Sequence, residues 1–253
     1  MIISYKKKFI FLHCRKTAGT YISFLLYDFL ENKDLILGSL EDINKVKKLK
    51  ISNHKELFKL NNFSYLINSI IKTTIRGGGI GFFLNNFYKQ KYQEISKNPP
   101  HMSIEQIHEN FPESRNFFTF CFVRNPYDYA VSDYLWRIGQ YKDFKEMKFK
   151  DYLKLKLKNC KHKIVPEPKT NWEIYTKKNK VSVDFVGKFE NLNDDLEIIF
   201  SKIGLSNNKL KEKNFLFKKN FSRKNYREYY SKEEKDLVEK LHYNEIKEFK
   251  YEF

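Results

Sequence analysis

The sequence has little cysteine, little acid and no long apolar run. Its three cysteines, Cys14, Cys121 and Cys160, are odd in number and show no C-x-x-C spacing. That pattern excludes a disulfide framework and a zinc site, and it fits a reducing compartment. No stretch of 18 apolar residues occurs, so a spanning helix is not expected. Lys6 to Lys8 comes early, but the apolar run behind it is only Phe9 to Leu12, too short for a signal-peptide core. These absences predict a cytoplasmic chain with no transmembrane segment. The glycines show neither the G-x-x-x-x-G-K-[ST] spacing of a Walker A loop nor the G-x-G-x-x-G of a dinucleotide fingerprint. The Gly77–Gly81 cluster follows no clear strand and reads as a mobile loop, or less readily as a lid or hinge. No Asp/Glu/His group has ligand spacing and no Walker B strand is evident, so no metal is expected.

Acid is scarce relative to base: 31 Asp and Glu stand against 48 Lys and Arg, a net charge of +17. Such a surface attracts phosphate, sulfate, anionic glycan, nucleic acid or an acidic membrane. The basic residues are mostly Lys, accompanied by many Asn and Ile, which reads equally as compositional drift. Charge alone therefore selects no partner. With 253 residues, 41% of them hydrophobic, the chain can bury a sizeable core, and one domain over 1–253 is expected.

The stretch that organises the chain is 8–30. Phe9 to Leu12 reads as a buried parallel strand and Thr20 to Leu30 as a buried helix. The turn between them holds Lys16, Thr17, Ala18, Gly19 and Thr20. Backbone N–H groups and a helix N-terminus converge there, a Lys adds charge and two Thr add hydroxyls, which makes a phosphate-type anion cradle. A second strand–turn–helix follows: 117–123 as a strand, Arg124 at its carboxyl end, Asn125 as cap, and a helix from Pro126 to about Ile138 carrying Ser132. Arg124 then lies on the sheet edge where open α/β folds bind ligands. Ser103 and Gln106 form a capping box, so His101 precedes a helix N-terminus whose dipole favours neutral imidazole, the form a general base needs. Elsewhere the reading is coarser: surface helix over 31–62, helix over 63–75, a strand at Val181–Val186, a helix ending at Gly204, and one last helix from Ser231 to about Phe249. The architecture expected is a P-loop-like, three-layer α/β domain with a central parallel sheet flanked by helices.

Two segments together resemble a known family. His13-Cys14-Arg15-Lys16-Thr17-Ala18-Gly19-Thr20 is similar to the H-x-P-K-T-A-G-T loop of carbohydrate-type sulfotransferases, the heparan sulfate/chondroitin-like family 2 enzymes that use PAPS (3′-phosphoadenosine 5′-phosphosulfate). Phe122-Val-Arg124-Asn-Pro-Tyr-Asp-Tyr-Ala-Val-Ser132 is similar to their F-V-R-N-P-[WY]-D-R-x-V-S segment. His101 to Ile107, Val183 to Leu192 and the closing Tyr226 to Phe253 resemble further family segments in the same order, so the likeness spans nearly the whole chain. The resemblance implies sulfuryl transfer from PAPS, without a metal, to a carbohydrate or other hydroxyl acceptor, an anionic one included. It implies that Lys16, Thr17, Ala18, Gly19 and Thr20 hold the phosphosulfate, with Arg15 beside them as a further candidate, that Arg124 and Ser132 hold the 3′-phosphate, and that Lys16 and His101 are catalytic.

The chain also departs from the pattern. Arg15 replaces the usual Pro, and it either faces solvent or adds charge at the phosphosulfate; Cys14 reads as a small buried side chain. His13 reads as structural, Glu190 and Asn191 as a helix cap, and Trp136 and Trp172 as either core or stacking residues. Asn220, Ser222 and Arg223 lie in a basic loop that could reach the nucleotide. The competing readings are a P-loop-type kinase or nucleotide-binding enzyme, whose Mg²⁺ carboxylate is missing from the motif regions, and a basic nucleic-acid or anionic-surface binding protein, suggested by charge alone. No nucleic acid is expected as partner.

Overall fold

The computed structural model describes residues 1–49, 51, 54–158, 161–206 and 225–253. Cys160, Asn220, Ser222 and Arg223 lie outside them. The strands in chain order are β1 (Ile2–Ser4), β2 (Phe9–Leu12), β3 (Leu35–Ile36), β4 (Phe118–Val123), β5 (Thr176–Lys177), β6 (Lys180–Val181) and β7 (Phe185–Lys188). Five of them form one sheet in the order β3-β1-β2-β4-β7, while β5 and β6 make a separate hairpin. The helices are α1 (Gly19–Tyr27), α2 (Leu40–Asn44), α3 (Phe63–Arg76), α4 (Ile80–Tyr92), α5 (Ile104–Asn110), α6 (Pro126–Gln140), α7 (Phe149–Leu157), α8 (Trp172–Tyr175), α9 (Leu192–Lys202), α10 (Lys232–Leu241) and α11 (Tyr243–Phe249).

β2, β4 and β7 are parallel, with Phe11 opposite Phe120 and Phe120 opposite Phe185. All four residues of β2 are buried, as expected for a strand covered on both faces. The sheet is mixed rather than wholly parallel, because β1 runs antiparallel to both β2 and β3. The turn Tyr5–Lys8 between β1 and β2 is too short for the crossover that a parallel pair requires, so the chain doubles back as a hairpin.

Four other expectations need correction. Leu35 and Ile36, read as surface helix, form the edge strand β3 and are buried. The Gly77–Gly81 cluster is a tight joint between α3 and α4: Gly77 ends α3 at φ 62°, and Gly81 is buried inside α4. A Cβ on Gly81 would lie 2.6 Å from the Leu40 carbonyl oxygen, so glycine is what lets α4 sit against α2. The strand expected at Val181–Val186 starts later, at Phe185, because the Asp184 carboxylate turns in to accept the Thr119 backbone N–H and hydroxyl, both at 2.7 Å. The last helix breaks at His242, whose buried ring pairs with Glu245 at 2.6 Å.

The core divides into two clusters. One packs the sheet between helices and includes Phe9, Phe11, Phe24, Phe87 and Phe120; the other joins α6, α7 and α10 through Tyr127, Val131, Tyr152, Leu153 and Val238. This arrangement leaves the carboxyl ends of β2 and β4 side by side.

Candidate functional site

At the end of β2 the backbone turns through left-handed conformations at Lys16 (φ 59°) and Ala18 (φ 62°) before α1 begins. Such conformations cost non-glycine residues of order 1 kcal/mol each and gather at binding sites, where they aim successive N–H groups into one concavity. Ala18 gives no side-chain cap to α1, so the first N–H groups of that helix point outward as donors for an anion. Lys16 Nζ lies 5.6 Å from the centre of the Trp136 ring. Thr17 departs from expectation: it is buried, and its hydroxyl donates to the Cys14 carbonyl at 3.0 Å. Only its backbone remains for a ligand.

Arg124 leaves the end of β4 and is 8% exposed. Its Nη1 donates to the Lys16 carbonyl at 2.9 Å and to Ser132 Oγ at 3.3 Å, and its Nε donates to Asp128 at 2.6 Å. The Phe189 ring covers the guanidinium at 4.2 Å. Burial lowers its pKa to about 10, still charged at neutral pH. Asn125 caps α6 through the Tyr127 N–H, as its position in the sequence suggests. Glu190 is not a helix cap: its carboxylate accepts the Asn125 N–H at 2.6 Å and the Tyr251 hydroxyl at 3.1 Å, which braces the turn after Arg124. Asn191 likewise offers α9 no side-chain cap.

The Ser103–Gln106 capping box forms with both reciprocal bonds. His101 sits ahead of it with Nδ1 2.5 Å from the His13 carbonyl. A carbonyl only accepts, so Nδ1 carries the proton and Nε2 keeps the lone pair. The pKa of His101 falls to about 3, chiefly through desolvation and then through the charge of Arg15. The ring is neutral, as the sequence suggests, with burial the largest cause and the Arg15 guanidinium the next. His13 is buried against it, edge to face, with ring centres 5.0 Å apart.

These groups meet in one cleft of about 1080 Å³ whose lining includes Arg15, Lys16, Ala18, Gly19, Thr20, His101, Arg124, Ser132 and Trp136. Of the site residues read from the sequence, Thr17 alone does not line it. A second cleft of about 1120 Å³ adjoins; it shares Asn98, His101, Val165 and Pro166 with the first, so His101 stands where the two meet. Trp172 is core: it is 8% exposed, with its indole N–H bonded to Asn179. No group of three or more His, Cys, Asp or Glu able to hold a metal exists among the described residues.

The family model described as "Sulfotransferase family" matches residues 1–252. The chain belongs to the sulfotransferase family. Sulfuryl transfer is therefore its general activity. It is also similar to an "Uncharacterized protein" of Archaeoglobus fulgidus, at 34% identity over 100 residues covering 35% of this chain and 69% of that protein. No solved structure matches it.

The cleft contains groups that sequence reasoning missed. Asp133 is buried and accepts Arg137 Nε at 3.0 Å, the Tyr152 hydroxyl at 2.6 Å and Lys156 Nζ at 3.2 Å. This polar knot backs the cleft, and Asp133 and Arg137 reach its wall. The i,i+4 spacings Arg124–Asp128 and Asp133–Arg137 were readable as helix ion pairs. Lys156 had no such signal. Arg15 does not face solvent: it is 6% exposed, and its Nη2 donates to the carbonyls of Pro168 and Thr170. Asn171 grips the Arg15 backbone with two bonds of 2.9 Å. Among the described residues no helix is long and apolar enough to cross a membrane.

Proposed function

We propose that the chain is a PAPS-dependent sulfotransferase that passes the sulfuryl group to a carbohydrate hydroxyl by in-line displacement, within a single P-loop-like, three-layer domain over 1–253. The observation that carries the reading is the bond from Arg124 to the Lys16 carbonyl, which joins the two motif segments at one cleft. Backbone N–H groups of 16–20 and the start of α1 suit the 5′-phosphosulfate, with Lys16 Nζ placed to meet charge that develops as the bridging oxygen leaves. Arg124 and Ser132, 3.3 Å apart, suit the 3′-phosphate, a guanidinium fork with one added hydroxyl. Asp128 orients that fork from behind. His101 Nε2 is the atom that takes the proton from the acceptor hydroxyl, while the His13 carbonyl holds the ring in the required tautomer. The second cleft, which opens onto His101 from the other side, admits the acceptor. By analogy with phosphoryl transfer the transition state is loose, so the protein acts by positioning and by charge. Cys14 and Cys121 are buried and outside any disulfide, which suits a reducing, cytoplasmic setting.

Calorimetry with PAP (3′,5′-adenosine bisphosphate) tests the reading. Binding that weakens about tenfold or more in Lys16→Ala and Arg124→Ala is expected. No PAP binding by the folded wild-type chain would remove it. Salt-steep nucleic-acid binding that survives Lys16→Ala would put the basic binding-protein reading in its place.

A further inference from the structure

Arg15 is a third buried cation beside the single carboxylate of Asp133, which Arg137 and Lys156 already engage. Its Nη2 bonds two backbone carbonyls, and its Nε and Nη1 are buried without a hydrogen-bond partner. The adjacent Tyr129 hydroxyl is buried too, and it interacts with the Arg15 guanidinium. Asp133 is already occupied by Arg137, Lys156 and Tyr152. Three buried cations thus surround one buried carboxylate at the cleft wall. Of the three other acids on that wall, Asp42 pairs with Lys45, Glu190 with Asn125 and Tyr251, and Asp194 lies in the first turn of α9. One carboxylate does not balance three buried cations, and a ligand anion is what would offset the surplus.

We propose that Arg15, with Arg137 nearby, forms a subsite for an acidic group, carboxylate or sulfate, on the hydroxyl acceptor. The inference rests on the sulfotransferase reading of the cleft. Position supports the acceptor over the donor. The guanidinium is anchored to Pro168 and Thr170, and Pro168 walls the second cleft. The donor groups Lys16 and Arg124 are tied to one another instead. Arg15 and Arg137 both act on His101, whereas Lys16 and Arg124 are not among the charges that shift it. The similar family loop carries Pro at this position, so holding the phosphosulfate does not need a side-chain cation there. Burial does most to keep His101 a weak base and the charge of Arg15 comes next, so an anion on Arg15 offsets that second part and acceptor binding raises the basicity of the group that deprotonates it.

The test uses methyl β-glucuronide and methyl β-glucoside, which differ by a carboxylate in place of a hydroxymethyl, with the full chain and saturation-transfer NMR. Wild type is expected to bind the glucuronide about tenfold or more tighter. Arg15→Gln abolishes that preference and leaves PAP affinity unchanged. Equal binding of the two sugars, or binding of neither, overturns the proposal. So does a tenfold loss of PAP affinity in Arg15→Gln, which assigns the charge to the donor. A glucuronide preference that depends on Arg15 in a chain that fails to bind PAP keeps the subsite and removes the donor reading. Circular dichroism checks the fold of Arg15→Gln. Should it not fold, Arg15→Lys, which lacks the fork, is expected to weaken the glucuronide several-fold and spare the glucoside; an unchanged ratio overturns the proposal.

Discussion

The His13 ring occupies the space that a side chain on residue 19 would need. A Cβ built on Gly19 lies 1.9 Å from His13 Cδ2 and 2.0 Å from Nε2. Glycine here is a matter of contact, because the ring at the end of β2 is packed directly over the first residue of α1. The His13 carbonyl in turn holds His101. Gly19→Ala should therefore displace both rings. A stability loss of about 1–3 kcal/mol is expected from the overpacking, with a fall in kcat larger than any change in PAP affinity. A Gly19→Ala chain that melts and turns over like wild type would show that the rings move aside freely.

Arg124 tests which phosphate the second segment holds. AMP and PAP differ only in the 3′-phosphate. Arg124→Ala is expected to weaken PAP by about 10- to 100-fold and AMP hardly at all, as for the loss of a charge-assisted bond to one group. Because Arg124 also bonds the Lys16 carbonyl, AMP is the control for a general loosening of the loop. Equal losses for the two ligands would make Arg124 a brace for the loop and not a phosphate ligand.

Much of this site was legible because it depends on local chemistry. The strand, the left-handed turn and the helix of 9–27 follow from an apolar run, a short polar turn and a second apolar run. Ser103, Gln106 and Asn125 cap helices because their side chains reach only the nearest N–H groups. The fate of Arg15 was not legible. Its partners, Pro168, Thr170 and Asn171, are more than 150 residues away, and only the folded chain brings them together. Thr17 failed for a similar reason: a hydroxyl in a tight turn has a carbonyl within reach, and it chose Cys14 over the cleft. The Gly77 joint escaped because it is decided by what packs against it, as Gly81 against Leu40 makes plain, and the mixed sheet escaped because Ile2–Ser4 was not read as a strand.

His101 should separate chemistry from binding. His101→Ala is expected to lower kcat by about 10²- to 10⁴-fold and leave PAP affinity unaltered. With its pKa near 3 in the free enzyme, the ring stays neutral on acidification from pH 7 to pH 5, so no His101 limb should appear in kcat/KM over that range. The measurement is a kcat/KM–pH profile with whichever acceptor a labelled-PAPS screen identifies. A limb near pH 6.5 that vanishes in His101→Ala would mean that the ring is not desolvated in the working enzyme.

The same rings make folding sensitive to acid. His54 is buried, with Nδ1 on the Tyr88 hydroxyl at 2.9 Å, and burial lowers its pKa to about 4, beside about 3 for His101. In the unfolded chain both titrate near 6.5. Between about pH 4 and 6.5 the unfolded chain binds protons that the folded chain refuses, so stability is full above 6.5 and declines as pH falls. At pH 5 each ring takes away about 2 kcal/mol, from 1.5 pH units at about 1.4 kcal/mol per unit. That is a large part of a typical folding free energy. Urea unfolding at pH 7 and pH 5 should show the loss, and His54→Gln, which removes one titration, should shrink it by about 2 kcal/mol; burial also lowers His13 and the Met1 amine, so the rest of the loss remains. A chain equally stable at the two pH values would mean that both rings take up their protons without unfolding.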